Sequence, residues 1–592
     1  MILQQLTKDY ERILAYDSDA EDDEDGSEPV SLATPAMYDL APVKWEIRLD
    51  DDGNFLDILR LVGSEAKKDL GLTMLVPTVV RTVGVRPLVL ADTPAYVLGM
   101  ELEDTNSAKK HRAFVHLIRQ CAEETDVPAA RAVVAFLSKE VDAAKEVAAA
   151  KGVEKSDRMT FRVGNTRPIH DSGIQAFWAT RCEARAKRSV PMQCLICGNI
   201  RPAVESMPFM IKGLPDGQSS GTALVSFNIE VFESYGLNRA ANSPICAECA
   251  EKFSKALKAL MRSKKTRHYV GSLVYVFWTV KSEQDITDFL AAPSPEDVRG
   301  LIKSVRDGVE RDVDADPFYA LLLSANAARV VVRGWISTTV GQVRKNIAQW
   351  FEWQEIVDAN GNEWKALPDW RLAASLYRPK AGGGANTQDI EKRVSQALIQ
   401  SALQGSPLPL DLLHRAVMRN RAENNVTYER AALMTAVLRS QGESELETPA
   451  QTCGKLLAIL EDLQRQSAFV DRRKINATLV DRFFGAASTS PATVFGTLLA
   501  DAQAHLTKLR KTRYTKYDAI QCELETTLAA LDGFPPTLNM KQQALFSLGY
   551  YHQRAAQRKG SAEGFANNQA QAAALEPTLD IEPDSSADEA TE

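Results

Sequence analysis

Four of the eight cysteines stand in two Cys-x-x-Cys units, Cys194-Leu-Ile-Cys197 and Cys246-Ala-Glu-Cys249. Thiolates three positions apart converge on one ion when the backbone turns sharply between them, and Gly198 after the first unit favours that turn. Two such knuckles complete a tetrahedral four-thiolate site. Zinc is the ion this donor set selects, and its role would be structural, because four thiolates leave no position open for water. The knuckles are separated by 48 residues, so the segment 198–245 is expected to be an insert stapled at its base, within a zinc-knuckle subdomain over 190–270. Four buried free thiols are the plain alternative, and the doubled spacing argues against it. A redox pair fits less well, since such sites use one motif on a βαβ unit. Cys121, Cys182, Cys453 and Cys522 are isolated and read as core residues.

Nothing else in the sequence groups as catalytic machinery. There is no Gly-x-x-x-x-Gly-Lys-Ser/Thr loop, no His-Glu-x-x-His helix and no Gly-x-Ser-x-Gly elbow. The seven histidines are scattered, and the carboxylates are not gathered as a two-metal nuclease requires. The chain therefore reads as a non-enzyme. Its other chemistry is cationic. Arg262, Lys264, Lys265, Arg267 and His268 form the densest basic run of the first half. Later come Arg472-Arg473-Lys474, then Lys508, Arg510, Lys511, Arg513 and Lys516 with Tyr514 and Tyr517 interleaved. Cations for phosphate and rings for stacking suit a single strand, while an ordinary solvated face is the other reading of such runs.

The formal net charge is −8, yet its distribution matters more than its sum. Asp17 to Glu28 holds eight acidic residues and Glu576 to Glu592 seven, with no basic residue in either. Those fifteen set aside, 63 acidic residues face 70 basic ones, so the remainder carries about +7. A mildly basic body permits a phosphate-binding surface without requiring one.

The elements that must hold these residues point to an α+β fold. A mixed multi-part N-terminal body with the four-cysteine insert is followed by an all-helical C-terminal bundle. The N-terminal α+β region is expected over 1–157, with an acidic loop at 17–28, a strand over Val43–Leu49, turn chemistry at 51–54 and helix over Lys109–Ala150. A mixed body follows over 158–380, with strands at Ala223–Asn228 and Val330–Val332 and helix at Ala250–Met261. Glycines and prolines mark a flexible linker over 381–408. The bundle is expected over 409–558. Ser490-Pro491 reads as a hydroxyl cap with proline at the first helical position, and Val494, Leu498, Ala502, Leu506 and Leu509 follow at helical spacing. Residues 559–592 read as a disordered acidic tail. No apolar run is long enough for a membrane span, and acidic residues follow the N-terminus too soon for a signal peptide, so a cytoplasmic location is expected.

The segment between the cysteine pairs carries a family signature. It runs Ile211-Lys212-Gly213-Leu214-Pro215-Asp216-Gly217-Gln218-Ser219-Ser220-Gly221, then Ala223 to Asn228, then Phe232-Glu233-Ser234-Tyr235-Gly236. Further blocks follow in order: Asp52-Gly53-Asn54, Leu75-Val76-Pro77, Phe318 to Arg333, Asp481 to Ser488, and Ala544 to Arg554. Together they resemble the large subunit of the type I-C (Dvulg-subtype) CRISPR Cascade. The resemblance implies a non-catalytic subunit that contacts the protospacer-adjacent motif, helps open target duplex DNA, holds the displaced strand and recruits a helicase-nuclease for antiviral defence. Implied partners are the backbone subunits bound to CRISPR RNA, the target duplex and its displaced strand, and a small subunit that can arise by internal translation, from Met418 or Met434. In that light the glycine-flanked turn Gln218-Ser219-Ser220 is the first choice for DNA contact, with Lys212, Asn228 and Tyr235 beside it. Two rival readings are a metal-dependent nuclease acting on CRISPR nucleic acids and a purely structural scaffold subunit.

Overall fold

The computed structural model describes residues 2–18, 35–63, 71–79, 84–102, 105–186, 191–204, 207, 209–219, 221–227, 229–280, 290, 293–307, 312–380, 384, 387, 389–443, 447–471 and 475–575. The chain divides into two compact units, Met1–Thr287 with Asp312–Val340, and Asp288–Arg311 with Gly341–Glu592.

The first unit contains two hydrophobic cores. One is built on strands β1 (Tyr38–Val43), β2 (Trp45–Leu49), β3 (Phe55–Arg60), β4 (Leu72–Pro77) and β5 (Met159–Val163). β2 pairs antiparallel with β3 and parallel with β5, and β1 pairs antiparallel with β4. Helices α3 (Pro94–Val97), α4 (Ser107–Thr125), α5 (Pro128–Lys139), α6 (Val141–Ala150) and α7 (Ser172–Ala186) complete it, with the Phe161 ring in contact with those of Phe114 and Phe136. The turn between β2 and β3 has a double cause. The Asp50 carboxylate accepts the backbone N–H groups of Asp52 (3.1 Å) and Asn54 (2.8 Å). Gly53, at φ +83°, approaches α5 so closely that a Cβ would lie 2.2 Å from the Ala132 carbonyl oxygen.

The second core carries the site. Its antiparallel sheet has the order β11-β10-β9-β8, from β8 (Arg267–Val270), β9 (Leu273–Thr279), β10 (Pro317–Asn326) and β11 (Arg329–Thr339). The N-terminal helices α1 (Ile2–Lys8) and α2 (Tyr10–Ser18) pack with α8 (Ala247–Arg262) over this sheet. Trp278, Tyr319 and Trp335 cluster with centroids 5.4–5.6 Å apart. The Trp278 indole donates to buried Asp9 at 2.8 Å, which satisfies a carboxylate that would otherwise be costly to enclose.

The second unit is helical. Two of its long helices, Pro449–Val470 and Met540–Leu575, cross at two glycines. A Cβ on Gly454 would lie 1.9 Å from the Phe546 carbonyl oxygen, and one on Gly549 would lie 2.0 Å from that of Gln451. Beside the crossing, buried Glu461 accepts the Tyr550 hydroxyl at 2.8 Å and pairs with Arg465 at 2.6 Å. Tyr551 donates to the Val357 carbonyl at 2.8 Å, so both tyrosines serve the core. The helix Pro491–Thr512 buries Val494, Leu498, Ala502, Leu506 and Leu509, the stripe expected from spacing. No described helix is long and apolar enough to cross a membrane.

Several sequence expectations give way. The linker expected over 381–408 contains the helix Lys392–Gln404, which buries Val394, Leu398, Ile399, Ala402 and Leu403 and stops at left-handed Gly405. Glycine there ends a helix and does not mark a loose chain. The strand expected over Ala223–Asn228 is not found in its described residues, 223–227: among them only Ala223 pairs, bridging to Arg329, because an alternating run needs a neighbouring backbone along its whole length. The Ser490 side chain makes no cap bond, although proline does open that helix. The helix Met540–Leu575 runs through the first part of the tail expected to be disordered, as an Ala- and Gln-rich composition allows. Residues 19–28 and 576–592, the rest of the acidic stretches, lie outside the described residues.

The glycine crossing yields a paired prediction. Gly454→Ala or Gly549→Ala forces the two backbones apart and is expected to cost at least about 2 kcal/mol in denaturant unfolding of the helical unit. Gly485→Ala, in the helix Leu479–Ala487 with nothing within 4 Å of its added Cβ, is expected to be neutral or stabilising by up to about 1 kcal/mol. Equal losses at all three positions would refute the close-crossing explanation.

Candidate metal centre and nucleic-acid interface

The cysteine pairs meet as their spacing predicts. β6 (Pro191–Gln193) and β7 (Ile200–Pro202) form a short antiparallel hairpin, and its turn presents Cys194 and Cys197. Gly198, at φ +77°, closes that turn with its N–H on the Cys194 carbonyl at 2.9 Å. Cys246 caps the N-terminus of α8 and Cys249 lies in its first turn. The Leu195 N–H donates to the Pro244 carbonyl and the Val204 N–H to that of Ile245, each at 2.9 Å, which joins hairpin to helix. Arg201 and Lys252 both pair with Glu248, at 2.6 and 2.8 Å.

The four sulfurs lie within 4.8 Å of one another, and Cys194, Cys246 and Cys249 are buried. Sulfurs bonded at about 2.3 Å to a tetrahedral ion stand about 3.8 Å apart; those of Cys197 and Cys246 are 3.9 Å apart. Burial pushes the Cys194 thiol up, but the N–H groups of Cys197, Cys246 and Ile196 aimed at its sulfur outweigh this and bring it to about 7. Burial drives Cys246 and Cys249 the other way, and for Cys249 the charge of the neighbouring sulfurs adds to it. Four thiolates in this space require a cation, so the donor set fits a metal ion.

The insert returns across the sheet through the loop 211–222. Ile211 and Thr222 exchange backbone hydrogen bonds at 2.8 Å and close its base. Its far side is fastened to the β10–β11 tip. The Gln218 N–H donates to Ala327 O (3.3 Å) and the Ala223 N–H to Ala328 O (2.9 Å), while Ala223 O accepts from Val330 (3.0 Å). Gly217 and Gly221 make the path possible: Cβ atoms there would lie 3.0 Å from Leu214 O and 2.7 Å from the Met210 Cβ. The Gln218 and Ser219 side chains are left exposed at the apex. Ser220 and Asn228 lie outside the described residues.

Beside this loop lies the C-terminal end of α8. The Tyr269 hydroxyl donates to Gly213 O at 3.1 Å, tying the loop to β8. Lys212, Arg262, Lys264 and Lys265 are exposed there. Arg267 is half-buried and structural: it donates to Met261 O at 2.6 Å and stacks on Tyr269. Lys258, which the sequence reading missed, joins the cluster from one turn before Arg262. It pairs with Asp39, and burial lowers its ammonium pKa despite that partner, with Arg262 and Lys212 adding repulsion. The i,i+4 relation of Lys258 to Arg262 was a signal available in the sequence.

The remaining cations belong to the helical unit. Lys508 pairs with Asp471 at 2.5 Å, and Lys516 lies 3.7 Å from Asp462. Arg513 donates to Gln466 at 3.1 Å and stacks over Phe469, a largely exposed ring that sequence reasoning also missed. Arg510 and Lys511 are exposed, and the Tyr514 and Tyr517 rings stand 5.8 Å apart. Arg472, Arg473 and Lys474 lie outside the described residues.

The sequence matches the family described as CRISPR-associated protein (Cas_Csd1) over residues 6–558. The chain belongs to this family. A search of the curated proteins gives no match. Membership in Cas_Csd1 supports a role as the large subunit of a CRISPR Cascade complex with other Cas components. The matched span takes in the cysteine pairs, the 211–222 loop and nearly all of the helical unit.

Because the thiol cluster fixes the start of α8, removing it is expected to loosen the insert alone. Cys249→Ser, or treatment with a strong chelator, should expose 198–245 to limited proteolysis while the unfolding of the helical unit is unchanged. Unaltered cleavage would show that the hairpin and helix hold the insert without metal.

Proposed function

We propose that this chain is the non-catalytic large subunit of a type I-C CRISPR surveillance complex in the cytoplasm. Its 211–222 loop meets the protospacer-adjacent motif as the guide RNA captures duplex DNA. Family membership over nearly the whole chain carries the assembly role. The DNA-contact role is supported by one juxtaposition: the loop exposing Gln218 and Ser219 is tied through Gly213 and Tyr269 to the basic end of α8. Exposed amide and hydroxyl groups suit a base edge, and Lys212, Arg262, Lys264 and Lys265 suit the flanking phosphates. Guide pairing reads the target sequence, so the protein needs only the short motif and the backbone.

In this reading the four cysteines hold a structural zinc ion. Zinc supplies a crosslink and no chemistry, since four thiolates occupy every position. The chain's own residues then position the loop. The helical unit would support the displaced strand, with Arg510, Lys511 and Arg513 for phosphate and Phe469, Tyr514 and Tyr517 for stacking. The helicase-nuclease is recruited to the assembled complex. A small subunit translated from Met418 or Met434 would begin inside a helix and lack Leu412, Leu413, Ala416 and Val417, all buried here.

The reading is tested on the assembled complex with target duplex. Gln218→Ala with Ser219→Ala is expected to reduce preference for the motif about tenfold, the scale of one lost base contact. Lys264→Gln with Lys265→Gln is expected to weaken all duplexes alike and lower the salt slope by about 2. Unchanged motif preference in the first pair would remove this loop from recognition. Metal analysis of the purified chain should return one equivalent of zinc, and far less would end the crosslink proposal.

A further inference from the structure

Between Ile229 and Leu237 the insert turns apolar side chains to solvent. Ile229, Val231, Tyr235 and Leu237 are exposed, Tyr235 at 98% and Val231 at 84%. The segment is nevertheless tightly built. Ser234 to Leu237 form a turn with Tyr235 at φ +53° and Gly236 at φ +69°, closed by the Leu237 N–H on Ser234 O at 2.9 Å. The Asn242 side chain clamps it, accepting the Ser234 N–H at 3.0 Å and donating to Leu237 O at 2.7 Å and Arg239 O at 3.0 Å. The Glu233 carboxylate accepts the Arg239 N–H at 3.1 Å, and the Arg329 guanidinium stacks 4.0 Å from the Phe232 ring centroid. A non-glycine residue in left-handed backbone is strained, and here the surroundings hold it there, with its ring entirely in solvent.

An ordered apolar knob has little ordering entropy left to lose when it is buried, which is the property of a binding anchor. Its charges select the class of partner. Residues 229–239 carry Glu230, Glu233 and Arg239, so the knob has no excess of cations to offer phosphate. Apolar side chains centred on a tyrosine, with an acid at the edge, have the composition of a protein interface.

We propose that the 229–237 turn is a protein-docking knob. It inserts Val231 and Tyr235 into an apolar socket, with a Lys or Arg edge facing Glu230, on another protein subunit of the complex. This rests on the assembly part of the proposed function and not on its DNA-contact part.

The test titrates the full chain into the purified complex of guide RNA and the other protein subunits lacking this chain. Wild type is compared with Val231→Asp with Tyr235→Asp, and separately with Glu230→Lys. Because these side chains are exposed, circular dichroism and thermal melts are expected to match wild type; the milder Tyr235→Ala serves if they do not. The double variant should raise the Kd for joining the complex at least tenfold, and Glu230→Lys severalfold, more at low salt. Wild-type joining with unchanged variant affinity would overturn the knob while leaving the proposed function intact. Failure of wild type itself to join would instead overturn the assembly role. Loss of duplex binding by Tyr235→Ala with assembly unaltered would assign the knob to nucleic acid and sink the protein partner.

Discussion

Helix α8 is pinned at both ends by interactions of different kinds, and the second core of the first unit is arranged around it. At its start, sulfurs from a hairpin some fifty residues earlier converge on Cys246 and Cys249. Along its length, Glu251 accepts the Met37 N–H, Lys255 donates to the Pro35 carbonyl and Lys258 pairs with Asp39, which together hold the chain as it enters β1, and α1 and α2 pack on its apolar face. At its end, the cations Arg262, Lys264 and Lys265 emerge beside the 211–222 loop. The thiol cluster joins hairpin to helix across the whole insert. Four sulfurs around one ion would admit a single geometry, whereas ion pairs and apolar contacts tolerate sliding.

The segment between hairpin and helix start sends Met207, Ile211, Leu214 and Ile245 into the second core. Its shape also comes from being closed at the base and strapped at the β10–β11 tip. One strap leaves Gln218 and Ser219 projecting, and the other places Arg329 under Phe232. A polar loop and an apolar knob thus share one support while presenting opposite chemistry. The helical unit follows another logic, in which close backbone approach at Gly454 and Gly549 stands in for crosslinking.

Much of this was legible in residue order where the cause is local. The Cys-x-x-Cys spacing announced the four-sulfur cluster, the stripe from Val494 to Leu509 announced its helix, and Asp50 to Asn54 announced a hairpin turn. The errors share one origin. Ala223–Asn228 alternates like a strand but finds a partner only at Ala223. Lys392–Gln404 was hidden by flanking glycines, although its apolar residues recur at helical spacing. Gly549 was visible as part of a family signature, but its reason, the Gln451 carbonyl 2.0 Å from where a Cβ would be, belongs to another helix.

Residue types and short spacings were therefore enough to name the family, the α+β class and the four cysteines that come together, because each depends on neighbours within a few positions or on ordered blocks. Where the cations lie was a different matter. Arg267 turned inward to a carbonyl, Lys258 joined a cluster it was not assigned to, and Phe469 became the platform for Arg513. Arg267 reaches a carbonyl only six residues back, but the Lys258–Asp39 pair and the strapping of Gln218 to Ala327 join segments a hundred or more residues apart, and the Arg513–Phe469 stack rests on the facing of one helix against another. Chain order carries no distance of that kind, and only folding brings the partners within reach.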